Sequence, residues 1–175
     1  MTIRKTIESD IPALLGIYEM ARRYMHAEGN LGQWSDNYPS AETVFADMER
    51  GGSYVCLDDN GAVAGTFFFV LGDDPTYSII YEGSWKNDLP YGVIHRIASN
   101  GNIKGLLHKV LDFCFTQTDV IRIDTHRDNK TMIGRLTDYG FEYCGIIHIA
   151  NGDERKAFMK TKQKTFTTTN IKSNQ

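Results

Sequence analysis

His95 stands in an apolar, strand-like run, residues 91–99, and imidazole is the side chain whose proton affinity lies nearest neutral pH. The run leads into a loop, 100–105, with glycines at 101 and 105, and then into helix-like residues 106–115. A strand that feeds a glycine-containing loop and then a helix presents free backbone N–H groups at the helix start, a place for phosphate. Further along, a second strand-like run, 120–125, is followed by Asn129 and by a helix-like run closing on Gly140 and Phe141. Side by side, the two units form a cleft, and the pairing points to an enzyme that holds a phosphorylated carrier.

The rest of the chain must position these groups. Residues 3–7 alternate apolar and polar, the pattern of a half-buried strand. Ser9 or Asp10 and then Pro12 open a helix with Ile11, Leu14, Leu15 and Tyr18 on one face, predicted to run to about residue 24 or 25. Ser40 caps a second helix through Arg50, stopped by Gly51 and Gly52. Strands are expected at 53–57 and 62–71 around the turn Asp59-Asn60-Gly61, and at 141–149 and 155–160 around a turn at 151–153. The early strands should pair antiparallel, and the strand-helix-strand unit from residue 91 to 125 should pair parallel. The expected class is α/β of mixed α+β character, with one mixed, mostly antiparallel sheet of six to seven strands and helices on both faces. Residues 1–161 read as a single domain and 162–175, rich in Thr, Lys and Asn, as a polar tail.

Composition narrows the partners. A net charge of −3 is small and of the wrong sign for a nucleic-acid binder, which carries a basic face. Cys56, Cys114 and Cys144 lie in apolar runs without metal-ligand spacing, so no metal is expected and a reducing cytoplasm is. The first residues have no apolar signal core, and no run approaches the length of a membrane span. A cytosolic protein that engages neither membrane nor nucleic acid is the expectation.

At His95-Arg-Ile-Ala-Ser99, Lys104-Gly105, Ile121-Arg-Ile-Asp-Thr-His126, Asn129, Met132 and Tyr139-Gly-Phe-Glu-Tyr-Cys-Gly145, the sequence resembles the GCN5-related N-acetyltransferase (GNAT) superfamily, bacterial members above all. The likeness runs from Ile3 to about Lys160. It implies strands splayed at the cofactor site and an acetyl group moved from acetyl-CoA to a primary amine of a small molecule or peptide, by direct attack in a ternary complex. The backbone of Ile97, Ala98 and Ser99 would hold the pantetheine arm. The loop and helix start, Asn102, Lys104, Gly105, Leu106 and Leu107, would hold the pyrophosphate. Asn129 and Met132 would sit by the arm, and Arg135 would reach the nucleotide end. The loop departs from the family pattern, with Asn102 in place of Arg or Gln and Leu107 in place of Gly or Ala. Leu136 stands where many members carry a thiolate-protonating tyrosine, seven residues past the Asn, and Tyr139 is on another helical face. A homodimer is compatible with this kind of fold.

Acyl transfer to an amine needs a proton acceptor and a donor for the oxyanion. His95 is the leading base candidate, set against a packed strand histidine. Tyr143 and Cys144, just past the Gly140-Phe141 turn, could face the thiol, though core packing is the more common outcome for both; Tyr143 is taken as the second catalytic candidate. Asp124 reads as a turn organiser and His126 as a loop residue. Asn129 suits an N-cap as well as a cofactor contact. The aromatics Trp34, Tyr38, Tyr77, Tyr81 and Trp85 are concentrated in the irregular stretches 26–39 and 72–90; as candidate walls for the amine, with Trp34, Tyr38, Tyr81 and Trp85 taken as the set, they are weighed against a role in covering the sheet ends. The competing readings are a non-catalytic acyl-CoA-binding domain on the same scaffold and a nucleotide-phosphate binder, which would lack the Gly-Lys-Ser/Thr ending that coordinates magnesium.

Overall fold

The computed structural model describes residues 1–72 and 74–163. Seven strands, β1 (Thr2–Lys5), β2 (Ser53–Leu57), β3 (Val63–Leu71), β4 (Gly92–Ser99), β5 (Val120–Thr125), β6 (Glu142–His148) and β7 (Glu154–Thr161), form one sheet in the order β1-β2-β3-β4-β5-β7-β6. β4 and β5 pair parallel; the other neighbours are antiparallel. The expected mixed, mostly antiparallel sheet is what forms. β3 lies near the middle because its run Ala64–Phe69 is buried on both faces.

Four α-helices among the described residues cover the two faces: α1 (Ile11–Ala27), α2 (Ala41–Glu49), α3 (Leu106–Cys114) and α4 (Lys130–Tyr139). Leu106, Leu107, Val110, Leu111 and Cys114 make a continuous buried stripe on α3, which packs with Leu136 of α4 against Phe67, Ile94, Ile121 and Ile123. On the other face, Leu14, Ile17 and Tyr18 of α1 and Val44 of α2 cover Val55 and Ala98. The remainder of that face is closed by the segment between β3 and β4. It carries Tyr77 into a third cluster with Val93, Val120 and Met159.

That segment is pinned to β6. Tyr81 and Ile146 exchange two backbone hydrogen bonds of 2.8 Å. Exposed Gly83 passes so near the chain that a Cβ there would meet the Cys144 carbonyl oxygen at 2.0 Å.

The feature that makes a cleft is a fork. β4 and β5 pair only over Gly92–Ile121, Val93–Arg122 and Ile94–Ile123, and then diverge. Against β3, the register of β4 slips between His95 and Ala98. Arg96 takes φ 52°, a left-handed conformation that costs a non-glycine residue of order 1 kcal/mol or more. The splay expected from the family likeness is therefore present, and a bulge on β4 opens it.

Some boundaries differ from the sequence reading. α1 runs on to Ala27, and α3 stops at Cys114, past which the Thr116 and Gln117 amides tighten into turns on the Phe113 and Cys114 carbonyls. β1 ends at Lys5 because the Thr6 hydroxyl turns inward to pair with the Ser53 hydroxyl at 2.7 Å. The expected tail, 162–175, lies outside the described residues from 164 onward; Lys162 donates its backbone N–H to the Asp119 carbonyl at 2.7 Å.

Candidate active site

The fork opens into a cleft of about 1530 Å³ that crosses the sheet edge of β4. At one end, Gly105 caps α3 with φ 66°, which only glycine holds without strain, and no side chain makes a capping hydrogen bond to the helix start. The backbone N–H groups of Lys104, Gly105, Leu106 and Leu107 have no acceptor among the described residues. The loop before them is organised by its own side chains: the Ser99 hydroxyl accepts from the Gly101 amide and the Asn100 side chain from the Asn102 amide, both at 3.0 Å. Four amides and a helix dipole facing an open cleft fit a diphosphate. The β4 edge beyond Ile94, which no strand pairs on the β5 side, offers peptide groups to an amide-bearing arm. Leu107 does not obstruct this end, because its side chain is 6% exposed and turned into the core.

At the other end His95 is held between two carboxylates. Its Nε2 is 3.1 Å from Asp74 Oδ2 and its Nδ1 is 3.5 Å from Asp124 Oδ1. Asp124 also accepts from the Tyr77 hydroxyl at 2.6 Å, and Asp74 from the Thr76 amide at 2.9 Å. Burial opposes the charged imidazolium, but the hydrogen bonds to Asp124 and Asp74 outweigh it and raise the His95 pKa. Asp74 is driven well below the carboxylate range, chiefly by its bond to His95. For Asp124, burial pushes the pKa up, and the bond to His95 turns the net direction downward. The cluster is thus an imidazole of strengthened basicity, oriented from both sides.

Next to it Arg96 is locked. Its Nε and Nη2 donate to the two oxygens of buried Asp47 at 2.8 and 2.5 Å, and Nη1 donates to the Tyr38 hydroxyl at 3.1 Å. The guanidinium also lies 4.8 Å from the centre of the Phe68 ring. This bidentate pair secures the left-handed residue and hence the bulge. A single loop residue ties the halves together: Gln33 Oε1 accepts from the Asn129 side chain at 2.8 Å, and the Gln33 carbonyl accepts from Arg155 at 3.3 Å.

The structure brings His95, Ile97, Ala98, Ser99, Lys104, Gly105, Leu106, Leu107, Asn129, Met132, Arg135, Trp34 and Tyr38 to the cleft wall. Asn129 caps α4 through the Met132 amide at 3.0 Å while facing the cleft. Four candidates lie elsewhere. Asn102 is exposed on the outer side of the loop. Tyr143 is on β6, 45% exposed, its ring edge-on to Phe158, because the register of β6 against β7 turns it away from the fork. Tyr81 stacks on His148, and Trp85 stacks on Tyr77 beneath Arg122; both close the far end of the sheet. Cys144 is buried. Leu136 is fully buried in the core, and the Tyr139 hydroxyl is engaged by Asp112 at 2.5 Å, outside the cleft.

Asp74, Asp47, Gln33 and Arg155 escape sequence reasoning, and Asp124 is an orienting group instead of a turn organiser. A signal for Asp124 exists. In the parallel register Val93 faces Arg122, so the period of two puts His95 and Asp124 on one face.

No protein-family model and no curated protein matches the sequence. Among solved structures, an acetyltransferase of the GNAT family from Streptococcus agalactiae is 30% identical, covering 93% of this chain and 96% of its own, with a TM-score of 0.82. A GNAT-family acetyltransferase from Listeria monocytogenes shares the fold at 20% identity, covering 91% and 94%, with a TM-score of 0.65. So does a phosphinothricin acetyltransferase from Sinorhizobium meliloti in complex with AcCoA, at 16% identity, covering 95% and 91%, with a TM-score of 0.60.

Proposed function

The chain belongs to the GNAT family of acetyltransferases, and from that premise we propose that it transfers the acetyl group of acetyl-CoA to a primary amine of a small molecule or peptide by direct attack within a ternary complex. One observation carries the reading. A single cleft runs from the free amides at the start of α3, along the unpaired edge of β4, to a histidine held by two carboxylates. The crystallised S. meliloti relative with AcCoA bound supports the choice of donor.

In this reading acetyl-CoA supplies an activated thioester, and the chain supplies position and proton traffic. The amides of Lys104–Leu107 receive the diphosphate, and Ile97–Ser99 hold the arm by their backbone. The attacking amine must be neutral, and its proton goes to His95 as the C–N bond forms and the C–S bond breaks. In the neutral ring Nε2 keeps its hydrogen and donates to Asp74 at 3.1 Å, while Nδ1, 3.5 Å from Asp124, carries the lone pair that takes the proton, and Asp124 then faces the imidazolium that forms. A backbone N–H on the β4 edge is the oxyanion donor. The departing thiolate has no tyrosine at the expected helical place, where Leu136 is buried.

The test is thiol release from acetyl-CoA over a panel of primary amines. Release with at least one amine is expected. Silence across the panel from folded protein that still binds acetyl-CoA by calorimetry would favour the non-catalytic acyl-CoA-binding reading, to which the missing tyrosine also points.

A further inference from the structure

Arg155 has a role in the cleft that neither donor binding nor proton transfer uses. It lies on β7, one strand beyond β5, where Asp124 faces Ala157 in the register. Counting in twos, Arg155 and Ala157 share the face of the sheet that carries Asp124 and His95. The residue is 5% exposed, yet it lines the cleft. Its guanidinium donates from Nη1 to the Glu154 carbonyl at 2.9 Å and from Nη2 to the Gln33 carbonyl at 3.3 Å, both neutral acceptors. Its other N–H donors have no acceptor among the described residues. The carboxylate nearest to it is Asp153, 3.9 Å away, beyond hydrogen-bond reach, half exposed at the rim and itself bonded to the Asn151 side chain at 2.8 Å.

The open donors of this little-exposed guanidinium are not sealed in the core but face the cleft, where an anion would complete them. Arg96 shows the contrast in the same cleft, because Asp47 already meets it with both oxygens. The charges nearby are separated in a telling way. Two carboxylates, Asp74 and Asp124, flank His95 at the fork, whereas Arg155 on the same face has only the rim carboxylate of Asp153 within 4 Å, at 3.9 Å and without a hydrogen bond. A cationic amine suits the first and a monoanion suits the second. One guanidinium fork with no second cation bonded beside it matches a carboxylate better than a doubly charged phosphate.

We propose that the acceptor is a zwitterion, an amino acid or a close analogue, whose carboxylate is received by Arg155 while its amine faces His95. Only the fate of the amine rests on the acetyl-transfer reading above; recognition of the carboxylate stands apart from turnover. Trp34 and Tyr38 then wall the carbon skeleton between the two charges.

The experiment is equilibrium binding to the coenzyme A-saturated protein by calorimetry. The probes are α-amino acids and ω-amino acids of increasing length, each beside its own carboxamide. At least one acid should bind about 10-fold or more tighter than its amide. Arg155→Gln should abolish that difference and Arg155→Lys should keep part of it, with the affinity for coenzyme A unchanged in both. A merely structural arginine would weaken acid and amide alike. No discrimination anywhere in the panel, including no binding at all, overturns the proposal, as does discrimination that survives in Arg155→Gln. The wild-type comparison needs no variant to fold. Acid discrimination without thiol release would sink acetyl transfer and leave the carboxylate site standing.

Discussion

The two ends of the cleft are built by different means. The donor end is made of neighbours in sequence: β4 turns into a loop, the loop into α3, and the groups on offer are backbone amides and apolar side chains. The acceptor end is assembled from distant residues. His95 meets Asp74 across 21 positions, Arg96 meets Asp47 across 49, and Gln33 reaches Asn129 across 96 and Arg155 across 122. A site of backbone groups tolerates replacement of its side chains. A site of paired side chains has few substitutes for any member, because removing one partner strands the other.

That contrast can be broken at either end. The largest effect is expected for His95→Gln: kcat should fall by about 10²- to 10⁴-fold with acetyl-CoA affinity retained, read by thiol release and calorimetry. Asp47→Ala should cost about 3–5 kcal/mol of stability, measured by denaturant midpoint, because it leaves the Arg96 guanidinium buried and unpaired and frees the bulge. At the donor end Gly105→Ala should lose only about 1–2 kcal/mol, the cost of a left-handed residue, and weaken acetyl-CoA by less than the His95 change weakens turnover. Asn129→Ala should cost about 1 kcal/mol as a lost cap. If the donor-end changes prove the more damaging, the distinction fails.

The pH profile sharpens it further. The His95 pKa is raised by its carboxylates, so the base is available only as pH climbs past the ordinary histidine value of about 6.5, and kcat should rise there. Asp74→Asn removes one of the groups that raise it, and the acid limb should move to lower pH. Stability follows the same charges. The His95 contribution is complete at acid pH and is lost as pH rises through its folded pKa. The Asp74 contribution is complete above about pH 4 and is lost as pH falls through its depressed value. The cost of Asp74→Asn should therefore be greatest between those limits.

The same division explains what could be read from the sequence. The strand, loop and helix of the donor end follow from short-range patterns, and β2, β5 and α4 fall within a residue or so of their expected limits. Ile97–Ser99 and Lys104–Leu107 reach the cleft because an apolar strand and an apolar helical stripe leave their backbone no other course. The partners of His95 and Arg96 were hidden because an aspartate in a loop and one in a helix look solvated until topology brings them together. Tyr143 and Trp85 were misplaced for the converse reason: aromatic character signals burial or recognition alike, and only the register of β6 and the path of the segment before β4 decide which.

Gly83 gives that path an unexpected weight. The methyl of an alanine there would collide with the Cys144 carbonyl and prise the segment between β3 and β4 from the sheet, carrying Asp74 and Tyr77 with it. A mutational scan should thus score this solvent-facing position, remote from every reactant, as intolerant of anything larger than hydrogen, with the loss registering as a mistuned imidazole and not as an unfolded chain.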